Sequence, residues 1–184
     1  MNEWLTGRLV VATPLLDDPN FARAVVLVLD HDEDGALGVV LNRASGVPVR
    51  ETLDDWVDLV ADPPVVFGGG PVEPSAVVAL GRATAGIPTD GSTAILERIQ
   101  LVDLDTDPVL AATDLERLRI FAGYAGWAPG QLELEIAQGA WFTVDAEPKD
   151  VFTDDPGGLW HAVLGRQPDE LKLFATFPDD PSMN

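Results

Sequence analysis

Cysteine is absent from this 184-residue sequence, which excludes a disulfide framework, a thiolate nucleophile and a zinc knuckle. Histidine is scarce, with only His31 and His161, so a histidine-based metal centre or a serine–histidine pair has little to build on. None of the four serines sits in a G-x-S-x-G elbow. Basic residues are few: eleven Lys and Arg stand against thirty-one Asp and Glu, a formal net charge of −20. They are scattered from Arg8 to Lys172 without a basic run, so direct DNA binding and adhesion to an anionic membrane are disfavoured. Apolar runs such as Ala24 to Leu29 and Ala76 to Leu80 are strand-sized and too short to span a bilayer. Met1-Asn2-Glu3-Trp4 lacks the basic stretch and apolar core of a secretory signal. The expectation is a cytoplasmic protein.

What is present is a globular composition, 46% hydrophobic with no low-complexity tract. Nothing divides the chain, so residues 1–184 are expected to form one domain, its core spanning about residues 5–175 ahead of a short acidic tail. Strands are expected over Leu5 to Ala12, Ala24 to Leu29, Ala36 to Asn42, Val65 to Phe67, Ala76 to Gly81, Ile99 to Leu104, Leu118 to Phe121 and Trp141 to Val144. The second and third should pair as an antiparallel hairpin about a polar turn, Asp30 to Gly35. Val49, Leu53, Trp56, Val57 and Val60 fall at helical intervals and predict an amphipathic helix. Further helices are expected near Pro129, taken as a first helical residue, and over Leu159 to Leu164. Thr84 to Thr93 reads as an exposed loop. The pattern is not a regular βαβ series. It predicts an α+β fold with a strongly curved, mostly antiparallel sheet and a few flanking helices.

Several motifs invite a chemical reading. Asp30, Asp32, Asp34 and Gly35 match four positions of a calcium loop, but the twelfth position is Leu41 where a bidentate Glu is needed. A solvated hairpin turn is the better reading. Phe67-Gly68-Gly69-Gly70-Pro71 follows a strand as a phosphate loop does, yet Pro71-Val72-Glu73 lacks the Lys and Ser/Thr of a Walker loop. Close backbone packing is the expected role of these glycines. Gly123-Tyr124-Ala125-Gly126-Trp127-Ala128-Pro129-Gly130-Gln131 reads as a fixed turn carrying Trp127 into a helix start. Glu133 and Glu135 should point to opposite sides of that helix and form no acid/base pair. Asn42-Arg43 closes a buried strand, where a functional polar pair or a turn would sit. The candidate ligand or partner surface is therefore Asn42, Arg43, Tyr124, Trp127 and Gln131. No catalytic residue, cofactor or metal is expected.

Taken in order, Gly7-Arg8-Leu9, Ala12-Thr13-Pro14, Asp18 to Leu27, Gly35 to Arg43, Gly69-Gly70-Pro71-Val72, Gly123 to Trp127, Gly130 to Glu133, Trp141, Asp150-Val151-Phe152 and Trp160 resemble the YqgE/AlgH family of bacterial proteins. The resemblance spans roughly residues 5–165. It implies a compact α+β fold with a barrel-like sheet and brings no established enzymatic activity. Some members carry the label of transcriptional regulators of exopolysaccharide synthesis, without a DNA-binding motif. Two segments depart from the pattern, Ser75 to Gly81 and the tail Phe174 to Pro181, and any site those segments supply in relatives is in doubt here. The reading with most support is a non-enzymatic protein-interaction or small-ligand-sensing domain with an indirect regulatory role. The alternatives are an enzyme using carboxylates or a backbone anion site near Gly68–Gly70 or Gly126–Gln131, and a DNA-binding regulator.

Overall fold

The computed structural model describes residues 4–85 and 94–179. In chain order the strands are β1 (Arg8–Ala12), β2 (Val25–Asp32), β3 (Gly35–Val40), β4 (Ala44–Pro48), β5 (Val65–Gly68), β6 (Val72–Ala83), β7 (Ala94–Leu96), β8 (Ile99–Leu101), β9 (Leu115–Trp127) and β10 (Trp141–Asp145). The helices are α1 (Pro108–Asp114), α2 (Gln131–Ala137), α3 (Pro148–Val151), α4 (Leu159–Gly165) and α5 (Asp169–Phe174). All but a few residues of the expected exposed loop, Thr84 to Thr93, lie outside the described residues.

The strands join in the order β10-β1-β2-β3-β9-β6-β8-β7, antiparallel throughout. Where β3 ends, β5 takes its place beside β9 and pairs with it in parallel, and β4 lies outside β5. The expected hairpin forms with Val26 opposite Val40 and Leu27 opposite Val39. Val144 of β10 and Ile99 of β8 come from distant places in the strand order. They nevertheless share one core with Leu9, Leu27, Phe67 and Phe121. That contact requires the sheet to curl into a half-barrel, as the sequence predicted. Helix α4 fills the enclosed face with Leu159, Trp160, Val163 and Leu164, and the Trp160 indole N–H donates to the Ala12 carbonyl at 2.9 Å.

Side chains alternate across the strands, so the opposite face carries separate clusters. One joins Val10, Val26, Val40, Trp127 and Trp141 to Leu132 of α2. The other joins Val49 and Trp56 to Ala79, Leu118 and Ile120. Burial on both faces explains the unbroken apolar run at residues 24–29, every one of which is buried.

Three local expectations are corrected. The single amphipathic helix over residues 49–60 is instead two 3₁₀ turns, Val49–Glu51 and Asp54–Leu59. Leu53, Trp56 and Leu59 are spaced by three, a period that lines up along a 3₁₀ turn and drifts along an α-helix. The Asp30 to Gly35 turn shrinks to Glu33-Asp34, because β2 continues pairing through an irregularity between Val28 and Asp30 until Asp32 faces Gly35. The segment Gly123 to Trp127 is not a turn but the end of the thirteen-residue strand β9. The turn follows at residues 128–130, and α2 opens at Gln131 after a left-handed Gly130 (φ 74°), so Pro129 is not its first residue.

The packing role expected of the triple glycine holds for two of its members. A Cβ at Gly69 would lie 2.2 Å from the Gly123 carbonyl oxygen, and one at Gly70 (φ 151°) would lie 2.2 Å from the Tyr124 backbone. A Cβ at Gly68 would meet nothing nearer than 3.8 Å. Gly69→Ala and Gly70→Ala should each cost about 3 kcal/mol in urea unfolding, while Gly68→Ala should stay within about 0.5 kcal/mol.

Candidate functional site

Strand β9 organises both concave surfaces of interest, because its alternating residues face opposite sides of the sheet. Leu118, Ile120 and Ala122 face one side; Arg117, Arg119 and Phe121 face the other.

On the first side is an apolar trough of about 590 Å³. Its floor is the β5–β9 pair, with Val66, Gly68, Ile120 and Ala122. Ser45 and Val47 of β4 form one wall with Thr52 and Leu53, and Pro74, Ser75 and Val77 of β6 form the other with Leu104 and Asp105. Val47 and Val77 are 44% and 53% exposed, high for valine in a strand. Polar character is confined to the Ser45, Thr52 and Ser75 hydroxyls and Asp105.

On the other side a cavity of about 490 Å³ is lined by Asp62, Arg117, Lys149, Asp150, Phe152, Thr153, Asp154 and Arg166, among others. Beneath its wall lies Arg119, fully buried, with its guanidinium 4.2 Å over the Phe67 ring. Arg119 donates to the Thr153 carbonyl at 2.7 Å and to the Asp62 carbonyl, while its Nε has no partner. Burial lowers its pKa to about 10, against the opposing pull of Asp62 and Asp154. Arg166 donates to both oxygens of the buried Asp150 at 2.6 Å, and this bond raises its pKa. Glu147, held below the usual carboxylate range by its contact with Lys149, completes this corner with a capping box at α3. Sequence reading missed this convergence because the cations come from separate elements. The available signal was Arg117 and Arg119, two residues apart within an apolar stretch and so on one face of a strand.

The five residues singled out from sequence fall into two groups. Asn42 is buried and holds the approach to β2: its Oδ1 accepts from the Val25 amide at 2.9 Å and its Nδ2 donates to the Arg23 carbonyl at 2.8 Å. Arg43 donates to the Ala22 carbonyl and adjoins Gly68 on the trough floor. Tyr124 is half-buried against the enclosed core. Trp127 is buried, and its indole donates to Glu135 Oε2 at 3.0 Å, an oxygen that also accepts from the Trp141 indole at 2.8 Å. Gln131, which is exposed, donates to Glu135 Oε1 at 2.9 Å and accepts from the Ala128 amide at 3.0 Å.

Glu133 turns the other way, to His31 Nε2 at 3.1 Å, so the two glutamates diverge as expected. His31 is not in a solvated turn: it is buried in β2, and its Nδ1 accepts from the Leu5 amide. His161 contacts the Ala175 carbonyl through Nδ1 and Asp179 through Nε2, and this contact holds the Asp179 carboxyl below the usual range. Arg23 lies 4.1 Å over Trp160 and donates to the Pro178 carbonyl, so the same region anchors the chain's last described residues.

Three amides of the glycine loops considered as a backbone anion site are already engaged within the fold. The Gly68 amide donates to Arg43, the Gly69 amide to Ala122 and the Gln131 amide to Ala128. Among the described residues no helix is long and apolar enough to cross a bilayer.

Comparison with known proteins places this architecture. Residues 9–172 match a family described as AlgH-like. A protein of Streptomyces avermitilis is 54% identical over 98% of this chain and 95% of its own length, and one of Streptomyces coelicolor is 55% identical with the same coverage. A crystal structure from Corynebacterium diphtheriae aligns with a TM-score of 0.89 at 36% identity, covering 96% of this chain and 94% of that one. The solution structure of the AlgH protein from Pseudomonas aeruginosa aligns with a TM-score of 0.68 at 30% identity, covering 97% and 98%. This half-barrel protein belongs to the AlgH-like family.

Proposed function

We propose that the protein is a non-enzymatic binding domain whose working surface is the apolar trough, and that an extended apolar segment of a protein partner occupies it. One observation carries the reading: valines exposed on both walls flank a floor of Ile120, Ala122 and Gly68, a concave apolar surface with few polar groups. Strand β4 supports it further, since among the described residues β5 is its only partner strand and its outer edge is open to an added strand. Arg43 and Gln131 remain secondary contacts, with Asn42, Tyr124 and Trp127 shaping the framework behind them. A regulatory role is then indirect, exerted through the partner; a net charge of −20 works against direct contact with DNA.

Nile red, a neutral apolar dye, tests the trough itself. It should bind saturably at one site. Val77→Glu should weaken that binding at least tenfold without lowering Tm, because the side chain is 53% exposed. Binding unchanged in Val77→Glu, or no saturable binding to the wild type, would remove the trough from consideration.

A further inference from the structure

The charged cavity on the other side of β9 contains charged side chains that no ion pair engages among the described residues. Arg166 is locked to Asp150, and Lys149 pairs with Glu147 at 2.6 Å. Arg117 and Asp62 line the same cavity as Asp154, yet these three form no ion pair with one another or with any other described residue. All three are exposed. Arg117 lies 6.0 Å over the Phe152 ring, and all three groups act on the buried Arg119 only through longer-range charge interactions. In a chain with so few cations, a guanidinium and two carboxylates outside any ion pair are a specific charge pattern around one cavity, and that cavity is large enough for a small molecule.

Arg119 explains why the pattern persists. Its buried guanidinium bonds the carbonyls of Asp62 and Thr153, which ties the 59–65 connection to the 152–154 connection and fixes the two carboxylate-bearing walls relative to Arg117. The backbone beneath the carboxylates is therefore preorganised, which lowers the ordering cost of binding.

We propose that this cavity binds a small zwitterion of the basic α-amino-acid class. The ligand's carboxylate is received by the Arg117 guanidinium, and its two cationic groups by Asp62 and Asp154. The charges complement one another: the three protein groups sum to −1 and such a ligand to +1. No covalent step is involved. The site is separate from the trough, and the two can fail independently.

The test uses the full chain and L-lysine as probe, followed by isothermal titration at low ionic strength, with n-butylamine and acetate as monofunctional controls. L-lysine should bind with one-to-one stoichiometry, at least tenfold more tightly than either control. Arg117→Gln and Asp154→Asn should each weaken L-lysine at least tenfold while leaving Nile red binding unchanged. Three results would each overturn the proposal: no saturable L-lysine binding at millimolar concentration, n-butylamine binding as well as L-lysine, or wild-type affinity in Arg117→Gln. In the first case, Asp62 and Asp154 serve only to balance the charge of Arg119.

Discussion

Arg119→Ala should lower folding stability by about 4 kcal/mol, more than most single substitutions in this chain. The side chain is fully buried, so its removal leaves a void against Phe67 and costs both lost contacts and the residual cavity. It also strips the carbonyls of Thr153 and Asp62 of charged donors, bonds stronger than neutral ones. One effect opposes these losses. Burial disfavours the charged guanidinium, as its pKa of about 10 shows, and alanine removes that penalty. The losses should win, because only alanine empties the site. Arg119→Met keeps most of the volume and also removes the buried charge, so it should cost only about 2 kcal/mol. Urea unfolding of both variants checks the order. A methionine variant less stable than the alanine variant would show that packing against Phe67 is not what the arginine supplies.

Glu135→Ala should cost about 3 kcal/mol and disturb tryptophan fluorescence. One carboxylate oxygen accepts the indole N–H groups of Trp127 and Trp141, and the other accepts from Gln131. Both indoles are buried, and their rings meet edge to face with centroids 5.9 Å apart. Without the carboxylate two indole donors lose their acceptor, and each such loss costs about 1–3 kcal/mol. Glu135→Gln keeps an acceptor oxygen without its charge and should lose roughly half as much. Equal losses in both variants would mean that the charge, not the acceptor, holds the aromatic pair.

These two residues also show what the sequence could and could not reveal. The apolar run at residues 24–29 announced a strand buried on both faces, and its closeness to the strand at residues 36–42 announced the antiparallel hairpin, though not the irregularity between Val28 and Asp30. The glycine–aromatic segment was legible as distinctive but misread as a turn. Nothing local marks Gly123 and Gly126 as strand residues until β3 and β6 are seen pairing across them. Glu135 lies only eight residues from Trp127, yet its indole clamp depends on α2 folding back towards β10, a tertiary event that helical spacing alone does not encode. The charged cavity was illegible for the same reason: Asp62, Arg117, Lys149 and Asp154 meet only once the sheet has curled. The trough was hidden differently. Val47, Val77 and Leu104 look like ordinary core residues, and only the geometry leaves two of them exposed on facing walls.

The central claim is that a protein partner lies in the trough formed by β4, β5, β6 and β9. The most direct test is photo-crosslinking in living cells from a benzophenone amino acid at Val77, with the same group at Glu170 on α5 as control. A discrete higher-mass adduct should form from position 77, be absent from position 170, and disappear when Val47→Glu is added. Identical adducts from both positions, or none from position 77, would contradict the claim.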